Sequence, residues 1–87
     1  MNNMENQHVY ILVELQEGIS IGKLITPEVY RNYAEAKQAL IDNFQDVHDS
    51  LEEQTLNQDI LKPDHTFAIL STNNTIWRWE IHEDNIK

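Results

Sequence analysis

The sequence predicts an α+β fold, a two-layer sandwich in which one long helix packs on one face of a four-stranded, largely antiparallel sheet in ββαββ order. Three observations carry this reading. Period-two alternation of apolar, mostly β-branched residues opens the chain, a helical apolar stripe fills its middle, and two short apolar runs around Thr72-Asn73-Asn74-Thr75 close it.

In the first strand, residues 8–15, Val9, Ile11, Val13 and Leu15 alternate with His8, Tyr10, Leu12 and Glu14. Gln16-Glu17-Gly18 then reads as a turn, with Gly18 supplying the positive φ that tight hairpins require. Residues 19–25 alternate again and form the second strand of a hairpin. Gly22 inside that strand weakens it or marks a bulge, which makes its register the least secure of the four.

Two helix starts compete. Thr26-Pro27-Glu28 offers a Thr cap with proline at the first helical position, whereas Asn32-Tyr33-Ala34-Glu35 offers an Asn cap with a glutamate three residues on. The second is favoured, because the apolar stripe of Tyr33, Ala36, Leu40, Ile41, Phe44, Val47 and Leu51 begins there. Continued to residue 54, it gives a helix of about six turns. Residues 55–64, with Asn57 and Pro63, read as a connection, with Ile60 and Leu61 tucked beneath it.

In the final hairpin an Asn73-Asn74 turn sets Leu70 opposite Trp77, Ala68 opposite Trp79 and Thr66 opposite Ile81, all on one side. Two tryptophans two residues apart in a strand share a face, and their large apolar area places that face under the helix. The outer sheet face is then expected to carry Tyr10, Leu12, Phe67, Ile69 and Ile76, more apolar than a sheet facing water. This predicts a cover, most simply a second copy of the chain in a homodimer. Residues 1–7 read as a disordered tail, 8–82 as a single domain and 83–87 as a loose tail.

Composition narrows the function classes. An 87-residue chain has room for one modest core, and the absence of cysteine excludes disulfides, thiolate metal sites and thiol nucleophiles. No basic, apolar leader opens the chain and no apolar run is long enough to span a bilayer, so a soluble cytoplasmic protein is expected. Asn73-Asn74-Thr75 matches a glycosylation sequon, which the turn accounts for better. Fifteen acids against six bases give a net charge of −9, which disfavours direct contact with nucleic acid or anionic membrane.

That charge is concentrated on the helix, where Asp42, Asp46, Asp49 and Glu53 recur at spacings of four, three and four. Six carboxylates and no Lys or Arg fall between residues 38 and 61. The stripe supports three readings: a solvated face opposite the apolar one, a docking surface for a basic partner, or a cation site built on His48 with Asp49 or Glu52. The first is favoured, since charge normally lies on the side of an amphipathic helix opposite its apolar stripe, and the third is the weakest, since one helix cannot surround a metal. His8, His48, His65 and His82 form no metal-ligand motif, although the last hairpin brings His65 level with His82.

Two glycines cannot build a phosphate cradle, and no Ser or Thr is paired with a His in a nucleophilic arrangement. No enzyme, cofactor or metal is therefore expected. The favoured function is a non-catalytic protein interaction module whose partner is a second copy or a basic protein. A mechanistically different alternative is an acidic inhibitor that imitates nucleic-acid charge. A third is a small-ligand-binding domain with a pocket around Tyr33, Trp77 and Trp79.

Overall fold

The computed structural model describes residues 7–52 and 54–86. The elements run β1 (Gln7–Gly18), β2 (Gly22–Tyr30), α1 (Tyr33–Leu51), β3 (Gln58–Leu61), β4 (Phe67–Ser71) and β5 (Thr75–Ile86). One helix packs against one antiparallel sheet, as the α+β reading requires. The sheet has five strands rather than four, in the order β2-β1-β5-β4-β3, so the chain is ββαβββ. The extra strand, β3, lies in the expected connection. Its four residues are too few to show a period, yet Asn57 N–H donates to Ser71 O at 2.7 Å and Lys62 N–H to Phe67 O at 3.0 Å, bracketing the ladder with β4.

The twelve-residue strands β1 and β5 pair along their whole length, from Gln7 opposite Ile86 to Gly18 opposite Thr75. β5 thus continues through residues 83–86, where a loose tail is expected from sequence, and Gln7 already belongs to β1. Residues 1–6, the rest of the expected N-terminal tail, lie outside the described residues, as does Lys87.

The first turn sits three residues later than expected. Ile19, Ser20 and Ile21 form it, and Gly22, at φ 73°, is the glycine in the left-handed region. Gly18 instead stays in β1, where a Cβ would approach Thr75 Oγ1 to 3.0 Å and Asn74 O to 3.2 Å. β2 consequently runs on through Thr26-Pro27-Glu28, and Pro27 is tolerated because β2 is a sheet edge.

Asn32 caps α1 as the sequence predicts. Its backbone is extended (φ −120°, ψ 125°), and its Oδ1 accepts from Ala34 N–H at 2.8 Å and Glu35 N–H at 3.3 Å. The helix ends at Leu51, short of residue 54, because Glu52 turns into a left-handed conformation (φ 47°) just after the last buried helical side chain.

The core is Leu12, Leu40, Phe44, Leu51, Ala68, Leu70 and Trp79, flanked by Trp77, Ile81, Val47 and Leu61. The last hairpin has the expected register, Leu70 opposite Trp77 and Ala68 opposite Trp79, and Ile81 N–H donates to Thr66 O. β1 corrects the expected phase. Leu12 pairs with Ile81, so the even-numbered residues of β1 share the Trp79 face: Leu12 is 1% exposed and Tyr10 stacks on Tyr33 with ring centroids 4.7 Å apart. Both faces of β1 carry apolar residues, and its register with β5 decides which one is buried.

Candidate functional site

Alternation from these registers puts Val9, Ile11, Val13 and Leu15 of β1 on the face turned away from the helix. Expected Phe67, Ile69 and Ile76 lie there too, whereas expected Tyr10 and Leu12 do not. One row of cross-strand neighbours reads Ile25, Leu15, Arg78, Ile69 and Ile60, crossing all five strands. The next row reads Pro27, Val13, Glu80 and Phe67, and a third begins Val29, Ile11, His82. Ile25 is 57% exposed, Val29 64%, Ile60 47% and Ile76 39%, while the inner members of the rows shield one another.

At strand spacings, these rows cover about 19 Å by 20 Å, a footprint of about 400 Å². The largest apolar patch on a typical monomer is of about that size and is often functional. Ile25 lies in the second strand, as the sequence predicts, whereas Val29 follows a Thr-Pro pair that reads as a helix start and Ile60 lies in what reads as a loop.

Charge enters the patch along its central strand and at the end where Glu17 and Lys23 share the row of Ile76. Arg78 and Glu80, adjacent on the outer face of the central strand, form an ion pair with Nε–Oε2 at 3.0 Å, and Glu80 Oε1 also lies 3.0 Å from His82 Nε2. The two side chains are 46% and 33% exposed. At the rim, Lys62 Nζ sits 5.6 Å over the Phe67 ring, a cation–π contact that covers part of it.

The acidic stripe lies on the opposite side of the molecule, with Asp42, Asp46 and Asp49 exposed on the solvent side of α1. Glu53 falls outside the described residues. Gln38 Nε2 donates to Asp42 at 2.9 Å. His48 approaches Asp49 at 3.9 Å and, more closely, Asp59 on β3 at 3.1 Å, tying the helix to the short edge strand. Among the described residues no group of three His, Asp or Glu gathers to hold a metal ion.

Tyr33, Trp77 and Trp79 serve packing. Tyr33 stacks on Tyr10 and carries Lys37 Nζ 4.3 Å above its ring, and Trp79 is fully buried. An open depression of about 360 Å³ lies instead between the two hairpin turns, lined by Gly18, Ile19, Asn73 and Thr75 among others. His65, in the left-handed region at φ 61°, closes the β3–β4 turn. His8 forms an ion-pair contact with Glu83 at 2.6 Å between β1 and β5.

Comparison of the chain with protein-family models, with curated proteins and with solved structures found no match. Among the described residues no helix is long and apolar enough to cross a membrane. Arg78, Glu80 and His82 of the outer face are held in short-range contacts along β5, with apolar neighbours Leu15, Val13 and Ile11 on β1. Such a surface is suited to burial against another apolar surface.

Proposed function

We propose that this chain is a non-catalytic protein interaction module that self-associates through its outer sheet face. The observation that supports this reading is the row of outer-face residues that crosses all five strands, apolar on both sides of the Arg78–Glu80 pair on the central strand. Covering it gains about 25 cal/mol for each Å² of apolar surface removed from water, and a core this small benefits from extension. Light scattering over a concentration series tests the reading. The expected mass moves from one chain toward two, and Ile69→Glu returns it to one. A mass that stays at one chain throughout, or a dimer indifferent to Ile69→Glu, overturns it.

A second reading has its own supporting observation. Asp42, Asp46 and Asp49 form an exposed anionic line on the opposite side of the molecule, as an acidic mimic of nucleic-acid charge would present to a basic groove. Binding of that kind weakens steeply with salt, whereas an apolar sheet-face dimer holds. A salt series on the same samples separates the two.

A further inference from the structure

We propose that two copies pack outer face to outer face on a twofold axis that runs across the sheet at the level of Trp79, so that Arg78 of each stands over Glu80 of the other. This rests on the self-association reading and adds its register.

The edges argue for the face. β3 offers four residues for strand addition, and β2 is interrupted by Pro27, which has no N–H to donate. Extension of the sheet edge to edge is therefore poorly served, and the outer face offers an apolar surface that spans the sheet. Sheets stacked face to face lie about 10 Å apart, a gap that an arginine and a glutamate reaching from opposite sides can close.

The charges argue for the register. Arg78 lies between Leu15 and Ile69, and Glu80 between Val13 and Phe67, so a flat apolar cover would strip water from both without giving either a new partner. A twofold axis between their two rows resolves this. It sets the Ile25-Leu15-Arg78-Ile69 row over the Pro27-Val13-Glu80-Phe67 row of the second copy, apolar on apolar, with four charges alternating in sign at the centre. Slipped by one two-residue step, the same faces place Arg78 over Arg78 or Glu80 over Glu80, so the pair favours one register. The carboxylates of Asp42, Asp46 and Asp49 lie beyond the helix from this plane, where the repulsion between copies that each carry −9 is smallest.

The test uses the full chain and two complementary variants, Arg78→Glu and Glu80→Arg. Each alone brings like charges together on the axis and is expected to weaken self-association by about tenfold or more. Mixed in equal amounts, they are expected to form a heterodimer, because one contributes only acid and the other only base at the centre. The double variant Arg78→Glu/Glu80→Arg restores the wild-type homodimer and serves as the folding control, checked by circular dichroism. Dimeric wild type with single variants that associate equally well, a mixture that stays monomeric, or a folded double variant that does not dimerise overturns the register while leaving the outer-face interface standing. Wild type that is monomeric at every concentration overturns both.

Discussion

Phe44 of the helix meets Trp79 of β5 edge to face, with ring centroids 5.9 Å apart and planes at 76°. Aromatic pairs favour this geometry because the positive ring edge faces the negative ring face. Trp79 is fully buried with Ala68 directly across β4, where a small side chain leaves room for the indole, and its Nε1 has no hydrogen-bond partner among the described residues. Trp79→Ala is expected to cost about 3–5 kcal/mol, the usual loss for emptying a large aromatic site. Trp79→Phe is expected to cost clearly less, since it keeps most of the ring and removes a buried donor that no acceptor serves. Urea unfolding of both variants, followed by circular dichroism, gives the comparison. Equal losses would mean that the indole nitrogen holds a partner after all.

Neighbouring residues of β1 are expected to respond in opposite ways. Leu12 is buried against the helix layer, whereas Val13 lies on the outer face between Pro27 and Glu80. Leu12→Glu puts an unpaired charge in the core and is expected to abolish folding. Val13→Glu is expected to leave the thermal transition within a few degrees of wild type while weakening self-association, because it sets a second carboxylate beside Glu80. Thermal melts and light scattering read the two effects separately. The reverse pattern would place the β1–β5 register one residue away from that described here.

That prediction turns on the point where local pattern stops being sufficient. The alternation of β1 is legible in the sequence, but its side is not, because Val9, Ile11, Val13 and Leu15 outweigh Tyr10 and Leu12 in apolar character and still face outward. Pairing with Ile81, nearly seventy residues along the chain, decides it, and no short-range signal carries that information. The last hairpin is legible in full, because Asn73-Asn74 fixes the turn and the turn fixes the register. Asn32 is legible for a similar reason: its two N–H bonds are made to residues two and three positions away. β3 and the far half of β2 are not, since a four-residue strand and a strand containing Pro27 are both stabilised by neighbours rather than by propensity. The outer patch is therefore legible in the sequence through Phe67, Ile69 and Ile76, while its extent across five strands depends on the sheet order.

Reversal of the helix charges separates folding from binding. Asp42, Asp46 and Asp49 are exposed, and the contacts at these positions are the hydrogen bond from Gln38 to Asp42 and the 3.9 Å approach of His48 to Asp49. Replacing all three with Lys exchanges one set of like-charge neighbours, spaced three and four residues apart and each worth about a few tenths of a kcal/mol, for another of opposite sign at the same spacing. Stability is expected to stay within about 1 kcal/mol of wild type, and a dimer built on the outer sheet face is expected to persist. Urea unfolding and light scattering check both. Unfolding of the triple variant would mean that this face of the helix is not in solvent.

Asp64 offers a test of the β3–β4 turn by pH. Its Oδ1 accepts from Thr66 Oγ1 at 2.8 Å and Thr66 N–H at 3.2 Å, and these bonds, with the nearby positive charge of Lys62, hold its carboxyl below the ordinary aspartate range. Both hydrogen bonds favour the ionised form, because a protonated oxygen accepts them less well. A carboxyl whose midpoint is lowered by folding stabilises the fold at neutral pH. That contribution fades as pH falls below about 3.9 and is gone once pH has passed through the folded midpoint. Thr66→Val removes the hydroxyl donor and keeps the backbone one, so the Asp64 midpoint is expected to rise part of the way back. Carboxyl chemical shifts followed by NMR from pH 2 to 6 in both proteins measure it. A midpoint unmoved by Thr66→Val would mean that the hydroxyl does not bond the carboxylate, and the left-handed His65 between them would need another cause.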